Sequence, residues 1–220
     1  MVARVSPCAS RHALAFALLV AACAGESPDP STSSTASTSG PLPERRPNVV
    51  LIAMESTRAS AVTPYLPGLP TTPFLVELAA EGVLVERAYT VVPHTSKALV
   101  PIHCGIPPKL VKAIDEANAG TIPTTCLAGH LAAAGYATLF IQPARETFED
   151  RPGLVGNLGF ANFLGKSSLP TEGFDESSYF GYEDDIMVGP AFDWVDAQDG
   201  PFFLAILTLT AHDDYGIPAG

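Results

Sequence analysis

The chain has 220 residues and a formal net charge of -11, with 47% hydrophobic and 16% charged residues. This length and composition predict a globular protein with one sizeable core and exclude an intrinsically disordered one. The excess of acidic side chains repels the phosphates of nucleic acids, so we expect no nucleic-acid partner. An anionic substrate would need a local positive centre, such as a metal ion or a placed Lys or Arg.

The amino-terminal segment, residues 1–23, has the pattern of a lipoprotein signal. Two arginines precede the apolar run ALAFALLVAAC, which is too short to span a bilayer. The run ends in VAAC, which resembles a bacterial lipobox and predicts lipidation of Cys23; a plain secretory signal is the alternative. Residues 24–46 are rich in Ser, Thr and Pro and predict a flexible tether. We therefore expect the folded part, residues 47–220, to lie outside the cytoplasm, anchored to a bacterial membrane at the periplasm or cell surface.

Three apolar runs in the folded part predict strands. NVVLIAM, residues 48–54, indicates a buried parallel strand directly after a proline. YATLFIQ, residues 136–142, and PFFLAILTLTAH, residues 201–212, indicate two more. VLVERAY, residues 83–89, indicates a further short strand.

Helical patterns separate these strands. TTPFLVELAAEG predicts an amphipathic helix with Thr72 as N-cap, Pro73 in the first turn and Gly82 just past the end. TTCLAGHLAAAG predicts a second helix with the same glycine exit, and GYEDDIMVGPAFDWVDAQ contains a third that is interrupted near Gly189-Pro190. The alternation predicts an α/β fold with a mostly parallel sheet and helices on both faces. In such sheets, ligands bind outside the carboxyl ends of the strands.

Polar residues follow two of the predicted strands at that edge. Glu55 comes directly after the first strand, and an unpaired buried carboxylate is costly, so it must meet a cation. Two interpretations stay open for Glu55: a ligand for a hard divalent metal ion, or a salt bridge to Arg58 or another arginine. His212 follows the third strand, either as a core histidine or as a group that contacts substrate.

The segment TVVPHTSKALVPIHCG places Thr95 and Ser96 before a predicted helix whose early residues include Lys97. A hydroxyl at a helix start is most often a cap, and this is the simpler interpretation from local sequence. The unpaired amides of a helix start also suit a phosphate or sulfate ester. Pro101 weakens the helix prediction, because a proline inside a helix costs about 3 kcal/mol.

The two cysteines of the folded part, Cys104 and Cys126, form an even pair in an expected oxidising compartment. We predict a disulfide between them, with two buried free thiols as the alternative. Closing a loop of about twenty residues stabilises a fold by roughly 3 kcal/mol in the chain-entropy model.

Taken together, PNVVLIAMEST, TTPFLVELAAEGVLVERAYTVVPHTSKALVPIHCG, LAGHLAAAGYATLFI and PFFLAILTLTAHDDYGIP resemble the amino-terminal part of the sulfatase and alkaline phosphatase superfamily. The resemblance runs from about Pro47 to Pro218. True sulfatases carry a Cys-x-Pro-x-Arg type motif that yields formylglycine, and the chain contains no Cys-x-Pro-x-Arg. Glu55 after the first strand and Thr95 at the cysteine position are similar to the lipoteichoic acid synthase branch, with its phosphoglycerol and phosphoethanolamine transferases.

The resemblance implies an alkaline-phosphatase-like fold and a hydrolase or transferase that acts on phosphate or sulfate esters. It implies that Glu55 and Thr95 hold one divalent ion, Mn²⁺ or Mg²⁺ rather than Ca²⁺ or Zn²⁺. Thr95 is then the nucleophile, with Ser96 as the local alternative. His212 matches the histidine that contacts the substrate in that branch, and Lys97 sits near the motif's basic residue, where it could neutralise the ester anion.

Two further features of the resemblance concern acidic residues. FGYEDDIM resembles an aromatic-Gly-x-x-Asp element of the branch, with Asp184 or Asp185 at the acidic position. The family completes its metal site with an Asp-His or Asp-Asn pair from a carboxyl-terminal part, and Asp213 and Asp214 come too early to be that pair. The sequence therefore suggests a fold truncated at its carboxyl end, with half a metal site. A sulfuric ester hydrolase without formylglycine and a degenerate, non-catalytic surface domain stay open as alternatives.

Overall fold

The computed structural model describes residues 46–212 and the backbone of residues 2–3. The rest of the predicted signal segment, its lipidation site Cys23 and the predicted tether up to residue 45 lie outside the described residues. Residues 213–220 lie outside them as well. In the part that is described, no helix has the length and apolar character needed to cross a membrane.

The described strands and helices follow one another along the chain as α/β units. In order they are β1 (Val2–Ala3), β2 (Val49–Ala53), α1 (Pro73–Glu81), β3 (Val83–Leu84), α2 (Thr95–Cys104), α3 (Leu127–Ala133), β4 (Ala137–Ile141), α4 (Arg151–Asn157), β5 (Asn162–Leu164), β6 (Glu176–Ser178), β7 (Gly181–Tyr182), α5 (Val188–Asp196) and β8 (Phe202–Leu207). Short 3₁₀ helices cover Ala59–Ala61, Asp115–Ala117, Phe148–Asp150, Lys166–Ser168 and Asp184–Met187.

A four-stranded parallel sheet forms the centre, in the order β2-β8-β4-β5. β8 lies between β2 and β4, and Ala205 of β8 is opposite Leu51 on one side and Phe140 on the other. The pairs β1-β3 and β6-β7 are small antiparallel ladders outside this sheet. The predicted parallel sheet is confirmed, and its three main strands are the three that the apolar runs predict.

Helices cover both faces of the sheet, as predicted. Side chains of a strand point alternately to opposite faces, so the neighbours Leu139 and Phe140 enter different cores. Phe140 packs in one core with Leu99 of α2 and with residues of α3 and α4. Leu139 packs in the other core with Ile186 of the 3₁₀ helix and with α5. The two cores anchor α2 and the Asp184–Met187 helix beside the carboxyl ends of the strands.

Two details of the predicted elements are wrong. The first strand was expected to be buried on both faces, but β2 is an edge strand of the described sheet, with Val50 53% and Ile52 59% exposed. An unbroken apolar run cannot show which of its faces is covered by the rest of the fold.

The third helix is not interrupted at Gly189-Pro190, because Pro190 lies in the first turn of α5, where proline is tolerated. The change in helix type comes earlier, where the 3₁₀ helix gives way to α5 at Val188.

Helix α2 is continuous through Pro101 and ends at Gly105, whose φ of 68° is the left-handed conformation of a C-cap. Gly105 N donates to Pro101 O at 3.1 Å and closes the last turn. Directly before this cap, Cys104 forms a disulfide with Cys126, the N-cap residue of α3. The bond ties the end of the helix that starts at Thr95 to the next helix.

His103, one residue before the disulfide, is buried in the aromatic core. Its ring lies 5.4 Å from Phe160, 6.2 Å from Phe140 and 6.3 Å from Phe203, measured between ring centroids. Among the described residues, neither ring nitrogen of His103 has a hydrogen-bond partner. Burial lowers the pKa of His103 to about 4. The fold therefore holds this imidazole in its neutral form.

We expect His103 to make the fold sensitive to acid. The pKa of His103 is lower in the folded state than the 6.5 of an exposed histidine, so between about pH 6.5 and 4 the unfolded chain binds one more proton than the folded chain. Above about pH 6.5, His103 costs the fold no stability. As the pH drops from about 6.5 to 4, the free energy of unfolding falls by about 3 kcal/mol because of this group. Urea unfolding at several pH values should show a shallower acid loss for His103→Leu than for the parent chain.

The matched control is His130→Leu, because His130 is an exposed histidine on α3. This variant should keep the full acid slope of the parent chain. Parallel stability curves for the parent chain and His103→Leu would contradict the assignment.

Candidate functional site

The carboxyl ends of β2 and β8 meet the amino terminus of α2 at one edge of the sheet. Glu55 follows β2, and its backbone N donates to Thr208 Oγ1 at 2.9 Å, just after β8. Thr95 is the first residue of α2. Thr95 Oγ1 donates a hydrogen bond to Glu55 Oε1 at 2.8 Å. The two residues, forty positions apart in sequence, therefore meet where parallel sheets bind their ligands.

A small pocket with a cavity volume of about 40 Å³, open to solvent, lies at this edge. It is lined by Glu55, Thr95, Gln142, Pro143, Ala144, Phe148, Arg151, Phe180, Leu207, Thr208, Leu209 and His212. Most of these residues are apolar or neutral, and the few charged or titratable ones come from separate parts of the chain. This is the composition of a small-molecule site, where a few polar groups set orientation.

Of the two adjacent hydroxyls, Thr95 faces the pocket and Ser96 does not. Ser96 is fully buried, and its Oγ donates to the Glu149 carboxylate. Thr95 lies at the positive end of α2, where the first backbone amides have no partner within the helix. The local alternative, Ser96 as the reacting group, therefore lacks access to the pocket.

Glu149 contacts both residues that flank Thr95. Its Oε1 lies 3.2 Å from His94 Nε2, and Ser96 bonds to the same carboxylate. Glu149 and Asp150 have φ values of 55° and 46°, a left-handed conformation that residues other than glycine seldom adopt. Such conformations persist only where the surroundings enforce them, and they concentrate at functional sites.

Arg151 is a site residue that the sequence analysis missed. It is 4% exposed, and its Nε and Nη1 have no hydrogen-bond partner among residues 46–212. Burial lowers the pKa of Arg151, while the carboxylates of Glu149 and Glu55 act in the opposite direction. Arginine remains protonated even so. A buried cation that lines the pocket without a bound partner is suited to an anionic ligand.

Lys97 does not line the pocket, so the structure gives no support to its predicted substrate contact. Its side chain is buried, and Nζ donates to Glu116 Oε2 at 2.6 Å and to Ala113 O at 2.7 Å. Position Lys97 is two residues after Thr95, and the helix turns its side chain away from the site. The positive centre that the sequence analysis required at the site is provided by Arg151 instead.

His212 lies in the pocket at the end of the loop after β8. Its ring packs edge-on against Phe180, with 4.8 Å between centroids. Of the two acidic candidates nearby, Asp184 bonds to this loop, and Asp185 is exposed. Burial raises the pKa of Asp184, and hydrogen bonds from Leu209 and Thr210 act in the opposite direction.

The Glu55 and Thr95 oxygens are hard donors that already converge, so they fit part of a site for a divalent ion. No salt bridge joins Glu55 to Arg58 within the described residues, but the charge of Glu55 acts on the buried Arg151, so the interpretation that pairs Glu55 with an arginine stays open. Across residues 46–212, no group of three or more His, Cys, Asp or Glu side chains is placed to hold a metal ion. The described residues therefore provide two ligands and not a full set.

The sequence matches the family model described as Sulfatase over residues 47–218. The chain belongs to the sulfatase family. A protein in the alkaline phosphatase superfamily from Vibrio parahaemolyticus is similar in structure, with a TM-score of 0.66 and 26% identity over 80% of this chain and 43% of that one. The lipoteichoic acid synthase LtaP from Listeria monocytogenes gives a TM-score of 0.67 and 18% identity over 78% and 42%.

A third solved structure, the phosphonate monoester hydrolase of Agrobacterium radiobacter, gives a TM-score of 0.54 and 20% identity over 79% of this chain and 43% of that one. These likenesses confirm the alkaline-phosphatase-like α/β fold of this sulfatase-family chain. The chain spans less than half the length of each of the three structures.

Proposed function

We propose that the chain is part of a metal-dependent phosphoester transferase or hydrolase that uses Thr95 as its nucleophile. The observation that carries the proposal is the 2.8 Å contact between Thr95 Oγ1 and Glu55 Oε1 in a pocket that Arg151 also lines. Membership of the sulfatase family supports ester chemistry, and two of the similar structures are a lipoteichoic acid synthase and a phosphonate monoester hydrolase.

In the proposed reaction, Thr95 Oγ1 attacks the phosphorus of an ester bound in the pocket. The bond from Thr95 to phosphorus forms as the bond to the leaving alcohol breaks, and the threonine proton ends on that alcohol. Water or an acceptor alcohol then attacks the phosphothreonine, gives up its own proton to the Thr95 oxygen, and releases the product. Before the attack, Glu55 orients the Thr95 hydroxyl, since it accepts that hydrogen bond in the free chain.

Glu55 and Thr95 would hold the divalent ion, which we propose is Mn²⁺ or Mg²⁺, and Arg151 would bind the ester's non-bridging oxygens. When bound, the ion lowers the pKa of the threonine hydroxyl. His212, which lines the pocket beside Phe180, would contact the leaving or accepting group. The amides at the start of α2 add a partial positive charge on the same side as Arg151.

We propose that the enzyme works outside the cytoplasm, held to a bacterial membrane through lipidated Cys23. The Cys104–Cys126 disulfide supports an oxidising compartment, because such bonds are rare in the cytosol. The apolar run before Cys23 supports the anchor.

Arg151→Met is expected to weaken the binding of inorganic phosphate by about 10- to 100-fold, because charge-assisted hydrogen bonds to the anion are lost. The same variant should unfold at a lower urea concentration than the parent chain, because it removes the cation that offsets the Glu149 and Glu55 carboxylates. Isothermal titration with phosphate and urea unfolding measure the two effects. Arg145→Met, at an arginine that does not line the pocket, is the control and should keep the phosphate affinity. Equal affinity in all three chains would contradict the role of Arg151.

The 220-residue chain should bind Mn²⁺ weakly, with a dissociation constant of about 1 mM or higher. The reason is that the described residues supply two ligands, which are fewer than a hard divalent ion needs. Glu55→Gln should abolish the remaining binding, whereas Glu86→Gln, at an exposed carboxylate, should not. Tight one-to-one binding in isothermal titration would show that the chain has a complete site.

The chemistry itself is tested with three chromogenic esters in the presence of Mn²⁺: p-nitrophenyl phosphate, bis-p-nitrophenyl phosphate and p-nitrophenyl sulfate. Release of p-nitrophenol from a phosphate compound supports the proposal. Turnover of the sulfate alone would favour the second candidate, a sulfuric ester hydrolase without formylglycine, which the family assignment makes reasonable. If no ester is cleaved and Thr95 takes up no phosphate at Mn²⁺ concentrations well above about 1 mM, the proposal is wrong, and the third candidate, a non-catalytic binding domain, is favoured.

A further inference from the structure

The loop that follows β8 is fastened on two sides before it reaches the pocket. On the β2 side, Thr208 N donates to Ala53 O at 3.1 Å, and Thr208 Oγ1 accepts from Glu55 N. Further along, His212 N donates to Leu209 O at 2.8 Å, which closes a turn just before the His212 side chain. The position of His212 in the pocket therefore depends on how Leu209 and the next residue are held.

The Asp184 carboxylate holds the turn between Leu209 and His212. Its carboxylate accepts from two consecutive backbone amides, with Oδ1 2.5 Å from Leu209 N and Oδ2 3.2 Å from Thr210 N. In return, Asp184 N donates to Thr210 Oγ1 at 3.0 Å. Three hydrogen bonds thus join the start of the 3₁₀ helix to the two residues that precede the histidine turn.

The 3₁₀ helix is itself a rigid support for this contact. Ile186, two residues after Asp184, is fully buried in the core on that face of the sheet. On the other side of Asp184, the β6-β7 ladder leads back to Phe180, whose ring packs against His212. The same short stretch of chain therefore fixes the backbone before His212 and provides the ring that its imidazole contacts.

We propose that Asp184 is a positioning residue for His212: its carboxylate fixes the Leu209-Thr210 turn and so sets where the imidazole stands in the pocket. The inference rests on the proposed function, because that function assigns His212 a contact with the bound ester or phosphate. An asparagine could not replace Asp184, since its amide has one acceptor oxygen and would turn its NH₂ group toward one of the two donors. Asp185, adjacent in sequence but exposed, has no part in this contact.

The first arm of the test does not depend on any activity. In Asp184→Asn, amide hydrogen exchange measured by NMR should become about tenfold faster at Leu209 and Thr210, as expected for the loss of one hydrogen bond. The imidazole resonances of His212 should shift at the same time. The amide of Leu139 in β4 should be unaffected, and Asp185→Asn should leave all of these signals as in the parent chain. Unchanged exchange at Leu209 and Thr210, or unchanged His212 resonances, would overturn the inference.

The second arm asks whether Asp184 acts through His212. Affinity for inorganic phosphate is measured in the parent chain, Asp184→Asn, His212→Ala and the double variant. Each single change should weaken binding by about tenfold, and the double variant should bind no more weakly than His212→Ala alone. Losses that multiply in the double variant would overturn the inference, because Asp184 would then act independently of His212.

The two arms separate failure of the inference from failure of the proposed function. If the parent chain binds no phosphate, the proposed function is contradicted, and the exchange and imidazole measurements still decide the positioning role. If Asp184→Asn does not fold, Thr210→Val replaces it, because this change removes the hydroxyl that accepts from Asp184 N. Thr210→Val should also shift the His212 resonances, and unchanged resonances in a folded Thr210→Val chain would overturn the inference.

Discussion

Replacing Thr95 with alanine is expected to lower phosphoester turnover by about 10³-fold or more, because the variant lacks the oxygen that forms the covalent intermediate. In the structure, the Thr95 hydroxyl donates to Glu55 Oε1 at 2.8 Å, and both residues line the pocket. The measurement is the rate of p-nitrophenol release with Mn²⁺ present, together with intact-mass analysis for a chain that carries phosphate. Thr95→Ala should show neither turnover nor the phosphorylated chain.

Two variants make this result specific. Ser96→Ala removes the neighbouring hydroxyl, which is buried against Glu149, and should keep turnover within about tenfold of the parent chain. Thr95→Ser keeps an oxygen at the reacting position and should retain part of the activity. A phosphorylated chain in Thr95→Ala, or a larger loss in Ser96→Ala than in Thr95→Ala, would contradict Thr95 as the nucleophile.

The central sheet could be predicted from sequence because each of its three main strands is a continuous apolar run next to a helical pattern. Their neighbours in the sheet could not, since runs such as NVVLIAM look alike whether they lie in the centre or at an edge. The short strand Asn162–Leu164 and helix Arg151–Asn157 escaped prediction for a related reason. They are too short for periodicity, and tertiary packing decides their conformation.

The candidate site was only half predictable. Local sequence left Glu55 and Thr95 with ordinary structural interpretations, and only the family resemblance paired them. Their 2.8 Å contact arises because two strand ends and a helix start share one edge of the sheet. Arg151 had no sequence signal at all. It reaches the site through a turn in which Glu149 and Asp150 adopt left-handed conformations, and no local pattern of charged residues predicts such a turn.

The position of the Lys97 side chain likewise depends on tertiary packing that local sequence does not show. It leads to a second prediction with a large expected effect, on stability. A lysine two residues after the expected nucleophile invites a role with an anionic ester, but its side chain is buried against Glu116. Burial acts to raise the pKa of Glu116, and hydrogen bonds from Lys97 and from Lys109 N outweigh it, so the pKa lies below the usual value. The carboxylate is therefore charged in the fold and depends on Lys97 for its balance.

Lys97→Met should lower the free energy of unfolding by about 3–5 kcal/mol, because it leaves the Glu116 carboxylate buried without its cation. The double change Lys97→Met with Glu116→Leu should recover much of that loss, since no unpaired charge remains. Lys109→Met is the control: its pair with Asp115 is exposed and 3.8 Å apart, so the change should cost less than about 1 kcal/mol. Urea unfolding measures all three, and phosphate titration of folded Lys97→Met should give the parent affinity. If Lys97→Met has the stability of the parent chain but fails to bind phosphate, Lys97 contacts the ligand after all. A lysine that only neutralises Glu116 affects the free energy of unfolding and not the phosphate affinity.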